Sequence, residues 1–155
     1  VPAVLHKVNA RDIIVEASDG AATPTWVEIG GLTSVTINEG ENEETADTTT
    51  YASRGAHEQD IMQRGATMSL EGLRLADDVT GALDPGQAQV VENAGLDRVG
   101  VLSHSIYRFR WPMDAEWTVW DATTSLGERG GGNNDKVGFA ATLTRSGPSS
   151  SEAVA

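Results

Sequence analysis

The sequence predicts a mainly β fold: an antiparallel β-sandwich or barrel with one packed α-helix. Short runs rich in Thr, Val, Ile and aromatic residues alternate in polarity between clusters of Gly, Pro, Asn and Asp. Only one segment carries complete helix punctuation. At 155 residues and 16.3 kDa, the chain is long enough for one ordinary core, and a compact monomer of that mass exposes ~7,500 Å².

The predicted strands come in chain order. Residues 12–17 end at the turn signal SDG, and residues 26–29 are followed by Gly30 and Gly31. In residues 32–38, Val35 and Ile37 share one face while Leu32, Ser34 and Thr36 share the other, the period of two that a half-buried strand requires. Residues 67–75 set Met68 and Leu70 against Ser69 and Glu71. Residues 105–111 and 117–126 flank PMDAE, a hairpin connection with Pro as breaker. Residues 136–145 alternate Val137, Phe139, Ala141 and Leu143 with Lys136, Gly138, Thr142 and Thr144.

The helix is predicted to begin at Asp84 as cap, with Pro85 in the first turn, Gln87 at capping-box spacing and Gly95 near its end. Ala88, Val91, Ala94 and Leu96 form its expected apolar stripe. The expected organisation is a single domain over residues 1–147, with residues 1–11 as an N-terminal arm, 40–66 as a long assembly loop, and 148–155 as a flexible C-terminal tail.

Two connections exceed the norm. Residues 40–65, GENEETADTTTYASRGAHEQDIMQRG, form a polar stretch far beyond the usual ~4–6 residues, and such a loop normally has a function. A short strand near residues 48–51 and a helical turn near 57–63 are its expected contents. The second, GERGGGNND at residues 127–135, lacks GxxxxGK[ST] and joins strands, so a hairpin with several positive backbone angles explains it.

Eleven Lys and Arg against 23 Asp and Glu give a net charge of −12, which excludes binding nucleic acid through a basic patch. The acidity is concentrated toward the start, with nine acids and two bases in the first fifty residues. With no cysteine there is no disulfide framework, thiolate metal site or Cys nucleophile. No apolar run approaches 18 residues and no leader pattern opens the sequence, so a soluble cytosolic product is expected.

Chemistry-bearing patterns are sparse. Glu39, Glu41, Glu43, Glu44 and Asp47 lack EF-hand spacing and read as a solvated or interface-facing segment. His6, His57 and His104 are isolated, and no serine sits in GxSxG. No cofactor, metal or catalytic residue is expected, and the chain does not read as an enzyme. Trp26, Trp111, Trp117 and Trp120 could serve as stacking platforms in a monomeric carbohydrate-binding sandwich. The alternation of Tyr107, Phe109 and Trp111 fits a core or subunit interface better. Arg108 and Arg110 then point the opposite way, toward acids of a neighbour.

The run WVEIGGLTSVTINEGENEETADTTTYASRGAHEQDIMQRGATMSLEGLRLAD, followed by DPGQAQVVENAG, YRFRWP and VWDATTSLGERGGGNNDKVGFAATLTRSG, resembles the bacteriophage major tail protein, or tail tube, family across residues 12–147. The order of blocks carries the resemblance. It implies a β-sandwich subunit, related in fold to tubes of contractile tails and type VI secretion, that forms hexameric rings stacked into a hollow virion tube for DNA ejection. The implied partners are the tail initiator or baseplate, the tape measure and the tail terminator, with dsDNA passing unbound and no membrane involved. Assembly in the host cytoplasm is likewise implied, and the tube of a contractile injection particle is the alternative within the lineage.

On this resemblance the long loop reaches the next ring. Glu43, Glu44, Asp47, Arg54, Glu58, Asp60 and Arg64 would form inter-ring pairs, with Tyr51, Ile61 and Met62 as apolar anchors. The strands bearing Tyr107, Phe109 and Trp111, and Val137 and Phe139, are the expected intra-ring edges. Six copies would carry −72 per ring, and a wall of like sign would keep phosphates from sticking.

Overall fold

A computed structural model describes residues 2–154. Val1 of the expected arm and Ala155 of the expected tail lie outside the described residues. The strands are β1 (Ile14–Ser18), β2 (Trp26–Glu28), β3 (Leu32–Asn38), β4 (Glu44–Asp47), β5 (Gln59–Gln63), β6 (Thr67–Leu73), β7 (His104–Arg110), β8 (Glu116–Leu126), β9 (Gly138–Arg145) and β10 (Ser150–Ala153). One helix, α1 (Pro85–Asn93), stands between β6 and β7.

Eight strands form one antiparallel sheet in the order β2-β1-β7-β8-β9-β6-β3, and β10 adds to β8. The eleven-residue β8 joins two halves. Its β7-facing edge pairs over residues 118–123, while the other edge takes β10 at 116–119 and β9 at 122–126. Both halves give their apolar side to one core, in which Val15, Ala17, Tyr107, Phe109 and Trp120 join Met68, Leu70, Phe139, Ala141 and Leu143. This is the mainly β sandwich that the alternation predicts.

Register makes the two sides of the β3-β6-β9-β8 half plain. Inward rows run Ile37, Met68, Leu143, Thr124 and Val35, Leu70, Ala141, Leu126. The outward rows between them are Thr36, Ser69, Thr142, Ser125 and Asn38, Thr67, Thr144, Thr123.

Helix α1 begins as its punctuation requires, with the Asp84 carboxylate accepting from the Gln87 N–H at 3.3 Å. The same oxygen accepts from the Gly30 N–H at 3.0 Å, tying the cap to the turn after β2. Gln87 does not close a capping box. Its side chain is buried, donating to the carbonyls of Gly30 and Leu73 and accepting from the Leu75 N–H. The expected apolar stripe is also displaced: Gly86, Gln87, Val90 and Asn93 are buried, whereas Ala88 and Leu96 are exposed. Helix and strand approach so closely that a Cβ at Gly86 would sit 2.1 Å from the Glu28 carbonyl oxygen, and only glycine permits it. At the far end, Asn93 donates to the Tyr107 hydroxyl at 2.9 Å, and that hydroxyl also meets Thr124. Burial pushes the Tyr107 phenol above its ordinary value.

The molecule exposes 10,472 Å², about 3,000 Å² more than a compact monomer of its mass. The excess resides in extended parts. Residues 2–9 lack secondary structure, with Val4, Leu5 and Val8 exposed. Within the expected flexible tail, residues 150–153 instead form β10; the small polar composition concealed a strand whose partners lie 31 to 37 residues upstream.

Candidate assembly interface

The long connection leaves β3 at Asn38 and returns to β6 at Thr67 as a two-stranded ribbon, β4 paired with β5. This corrects its expected contents: the strand is at Glu44–Asp47, and residues 59–63 form a second strand where a helical turn was expected. The segment lacks one-sided polarity because every residue of β5 is exposed, so no alternation marks it.

Local hydrogen bonds shape the tip. Asp47 accepts from the Thr49 N–H at 2.9 Å, and the Thr49 hydroxyl and main chain of Glu58 bind each other across the ribbon. The Thr49 hydroxyl and N–H hold the exposed Asp47 carboxyl below its ordinary value. Thr50 and Ser53 form a reciprocal capping box around the single turn Tyr51–Ser53, and Arg54 closes it at φ 52. Ser53 also donates to Glu58.

All ten expected loop residues are exposed: Glu43, Glu44, Asp47, Tyr51, Arg54, Glu58, Asp60, Ile61, Met62 and Arg64. Tyr51 stands fully in solvent at the tip, and Met62 is 69% exposed. Arg64 meets Glu43 within the ribbon at 3.7 Å, whereas Arg54 meets no carboxylate among the described residues.

The intra-ring expectations need correction. Tyr107, Phe109 and Phe139 are core residues, at most 6% exposed. Neither parent strand is an edge, since β7 lies between β1 and β8, and β9 between β8 and β6. Alternation reports which side of a strand is buried but not its place in the sheet. The path instead ends at β2 and β3. Trp111 is half-buried just past β7, and Val137 is exposed just before β9.

Arg108 does not await a neighbour's acid. Its guanidinium lies 4.4 Å from the Trp26 ring centroid and 4.2 Å from that of Trp117. It donates to Glu16 at 2.7 Å and to Glu152 of β10 at 3.3 Å. Arg110 lies over Trp117 at 5.2 Å. Arginine thus occupies a face of Trp26 and of Trp117, and Trp120 is buried, so only the half-buried Trp111 is left of the four platforms that the carbohydrate-binding reading needs.

A further apolar surface follows α1, where Leu96, Val99, Val101 and Leu102 are all more than half exposed. The sequence reading missed it, although the run LDRVGVL offered the signal of apolar residues with no polar alternation. Among the described residues, no group of three or more His, Asp or Glu is placed to hold a metal ion, and no helix is long and apolar enough to cross a membrane.

No protein-family model and no curated protein matches the sequence. Solved structures do. A chain of the virion of a native gene transfer agent particle superposes with a TM-score of 0.65 at 19% identity, covering 94% of this chain and 98% of the other. A chain from the tail of the empty gene transfer agent particle, of C6 symmetry, gives 0.61 at 19% identity, with 95% and 98% covered. The fold is tail-tube-like. A chain of the anti-feeding prophage baseplate, six-fold symmetrised, gives 0.50 at 14% identity over 99% and 97%. The likeness spans nearly the whole of each chain.

Proposed function

We propose that this protein is a structural virion subunit that self-assembles into hexameric rings, stacked as the tail tube through which DNA is ejected. The observation carrying this reading is the surplus of about 3,000 Å² of surface over a compact monomer, set against the 10,472 Å² exposed. A stable interface buries ~800 Å² per partner, so the surplus is enough for contacts around a ring and to rings above and below. Its composition fits: Tyr51, Ile61 and Met62 on the ribbon and Leu96, Val99, Val101 and Leu102 beyond α1 are exposed apolar side chains of the kind that subunit contacts bury. The full-length likeness to a chain of a C6-symmetric tail supports six-fold rings.

In this assembly the ribbon reaches the adjacent ring, Arg54 pairs with a neighbour's carboxylate, and Tyr51 inserts as an apolar anchor. The open edges at β2 and β3 serve the ring. Initiator or baseplate, tape measure and terminator proteins are the further partners, and subunits are made in the host cytoplasm before joining the tail. Likeness to a chain of the anti-feeding prophage baseplate favours, as a second reading, the tube of a contractile particle; a sheath gene beside this one would decide for it.

Negative-stain microscopy and sedimentation of the concentrated protein test the proposal. Tubes are expected from wild type, and folded, unpolymerised subunits from Arg54→Glu with Arg64→Glu. Wild type that stays monomeric with its initiator present, or normal tubes from the double variant, would refute respectively the tube and the role of the ribbon.

A further inference from the structure

Strand register gives the sheet two ends. At one, a row of partners runs from His104 through Thr123, Thr144 and Thr67 to Asn38. The ribbon springs from Asn38 and Thr67, and the segment carrying the exposed Leu96, Val99, Val101 and Leu102 leads directly into His104. The other end is marked by the pairing of Ile14 with Arg110. There Ala10 and Arg11 line a hollow with residues 32–35 at the start of β3, and residues 2–9 leave the body without secondary structure. The length of β7 therefore separates this arm from the apolar surface, about 20 Å at ~3.3 Å per residue. The two match in chemistry. Val4, Leu5 and Val8 of the arm are exposed, Lys7 and Arg11 supply cations, and none of the 23 carboxylates of the chain precedes Asp12. The surface lies beside the exposed Glu92 and Asp97, while its Arg98 is half-buried, donating to Asn93 and to the Leu102 carbonyl.

We infer that the arm of one subunit docks on the surface of residues 96–102 of a second copy in the adjoining ring. Val4, Leu5 and Val8 lie on the apolar side chains there, and Lys7 faces Glu92 and Asp97. The inference rests on the tube reading above and adds a second contact to its joint between rings. Because ribbon and surface share one end of the sheet, the ring that the ribbon reaches is also the ring whose arms point back at the surface. Complementary patches at opposite ends of one body make a heterologous contact, which adds copies without limit along one direction. Eight extended residues span at most ~28 Å, enough to cross such a joint. The arm and the surface are both left in water by the lone subunit, and one contact between copies covers both.

The absence of cysteine makes the test clean. Leu5→Cys and Val101→Cys are combined in one chain, at positions 92% and 88% exposed, where neither change should disturb the fold. Tubes of this variant are treated with a short bismaleimide, dissolved in detergent and separated by electrophoresis. A ladder running past six subunits is expected, since links from ring to ring continue along the tube. A ladder that stops at six would put the contact within a ring, and monomers alone would put the arm on its own subunit or away from the surface; either overturns the inference while leaving the tube intact. Wild type without tubes overturns both. In a second experiment, Val4→Ser with Leu5→Ser should raise the protein concentration needed for tubes roughly tenfold. Urea unfolding of the free subunit should stay unchanged, because Leu5 and Val4 are exposed there. An unaltered assembly concentration would likewise overturn the inference.

Discussion

The two outward sides of the sheet differ in what holds them. On one, Arg108 is clamped between Trp26 and Trp117 and bonded to Glu16 and Glu152, so strands β1, β2, β7, β8 and β10 meet at one guanidinium. On the other, Thr36, Ser69, Thr142 and Ser125 lie side by side, and register and the core beneath do the fastening. A covered side tolerates little change because its groups depend on one another. A bare side carries no such mutual dependence.

The largest effect should come from Arg108→Ala. It leaves the Glu16 side chain, only 16% exposed, without its partner and opens both ring faces, so urea unfolding of free subunits should show a loss of about 3 kcal/mol. Arg108→Lys should recover only part, since an ammonium cannot stack as a planar fork does. A loss under about 0.5 kcal/mol, the level of ordinary surface changes, would break the comparison.

Tyr107 lies beneath both sides and should rank next. Tyr107→Phe removes the hydroxyl between Asn93 and Thr124 and should cost about 1–2 kcal/mol at neutral pH. The pH dependence has a definite sign. Folding raises the Tyr107 pKa above its ordinary value of 10.0, so wild-type stability is intact below that value and declines as pH rises through it, where the unfolded chain ionises first. The alkaline decline should be smaller in Tyr107→Phe, as thermal unfolding across that range would show.

Glu152→Ala should cost less, about 0.5–1 kcal/mol, because its carboxylate is half-exposed and Arg108 retains Glu16. Smallest of all should be Thr142→Ala, within about 0.5 kcal/mol by the same denaturation measurement, since its hydroxyl fastens nothing. A Thr142→Ala loss matching that of Arg108→Ala would mean that the bare side is as structurally committed as the covered one.

What was legible in the sequence follows the same physics. Where one side of a strand is buried, as at Val35 and Ile37 or Phe139, Ala141 and Leu143, alternation located both strand and core side. Asp84 and Pro85 located the start of α1, because capping is local chemistry. QDIMQ and SSEA escaped because a fully exposed strand has no periodicity to display. The helix face was misjudged because Gln87 is buried by hydrogen bonds to three distant main-chain groups, which no apolar count anticipates. Tyr51, Ile61 and Met62 are exposed on a ribbon that the sequence did not reveal. The edge assignments failed at Tyr107 and Phe139, since strand order arises from long-range pairing.

The seating of β10 on β8 sets an order of events. Strand β9 intervenes in the chain and occupies the same flank of β8 farther along, so pairing Ser150–Ala153 with β8 closes a longer loop than pairing β9 does. Until β10 docks, Arg108 lacks Glu152. Removing residues 150–153 should therefore strip one carboxylate from Arg108 while leaving its bond to Glu16.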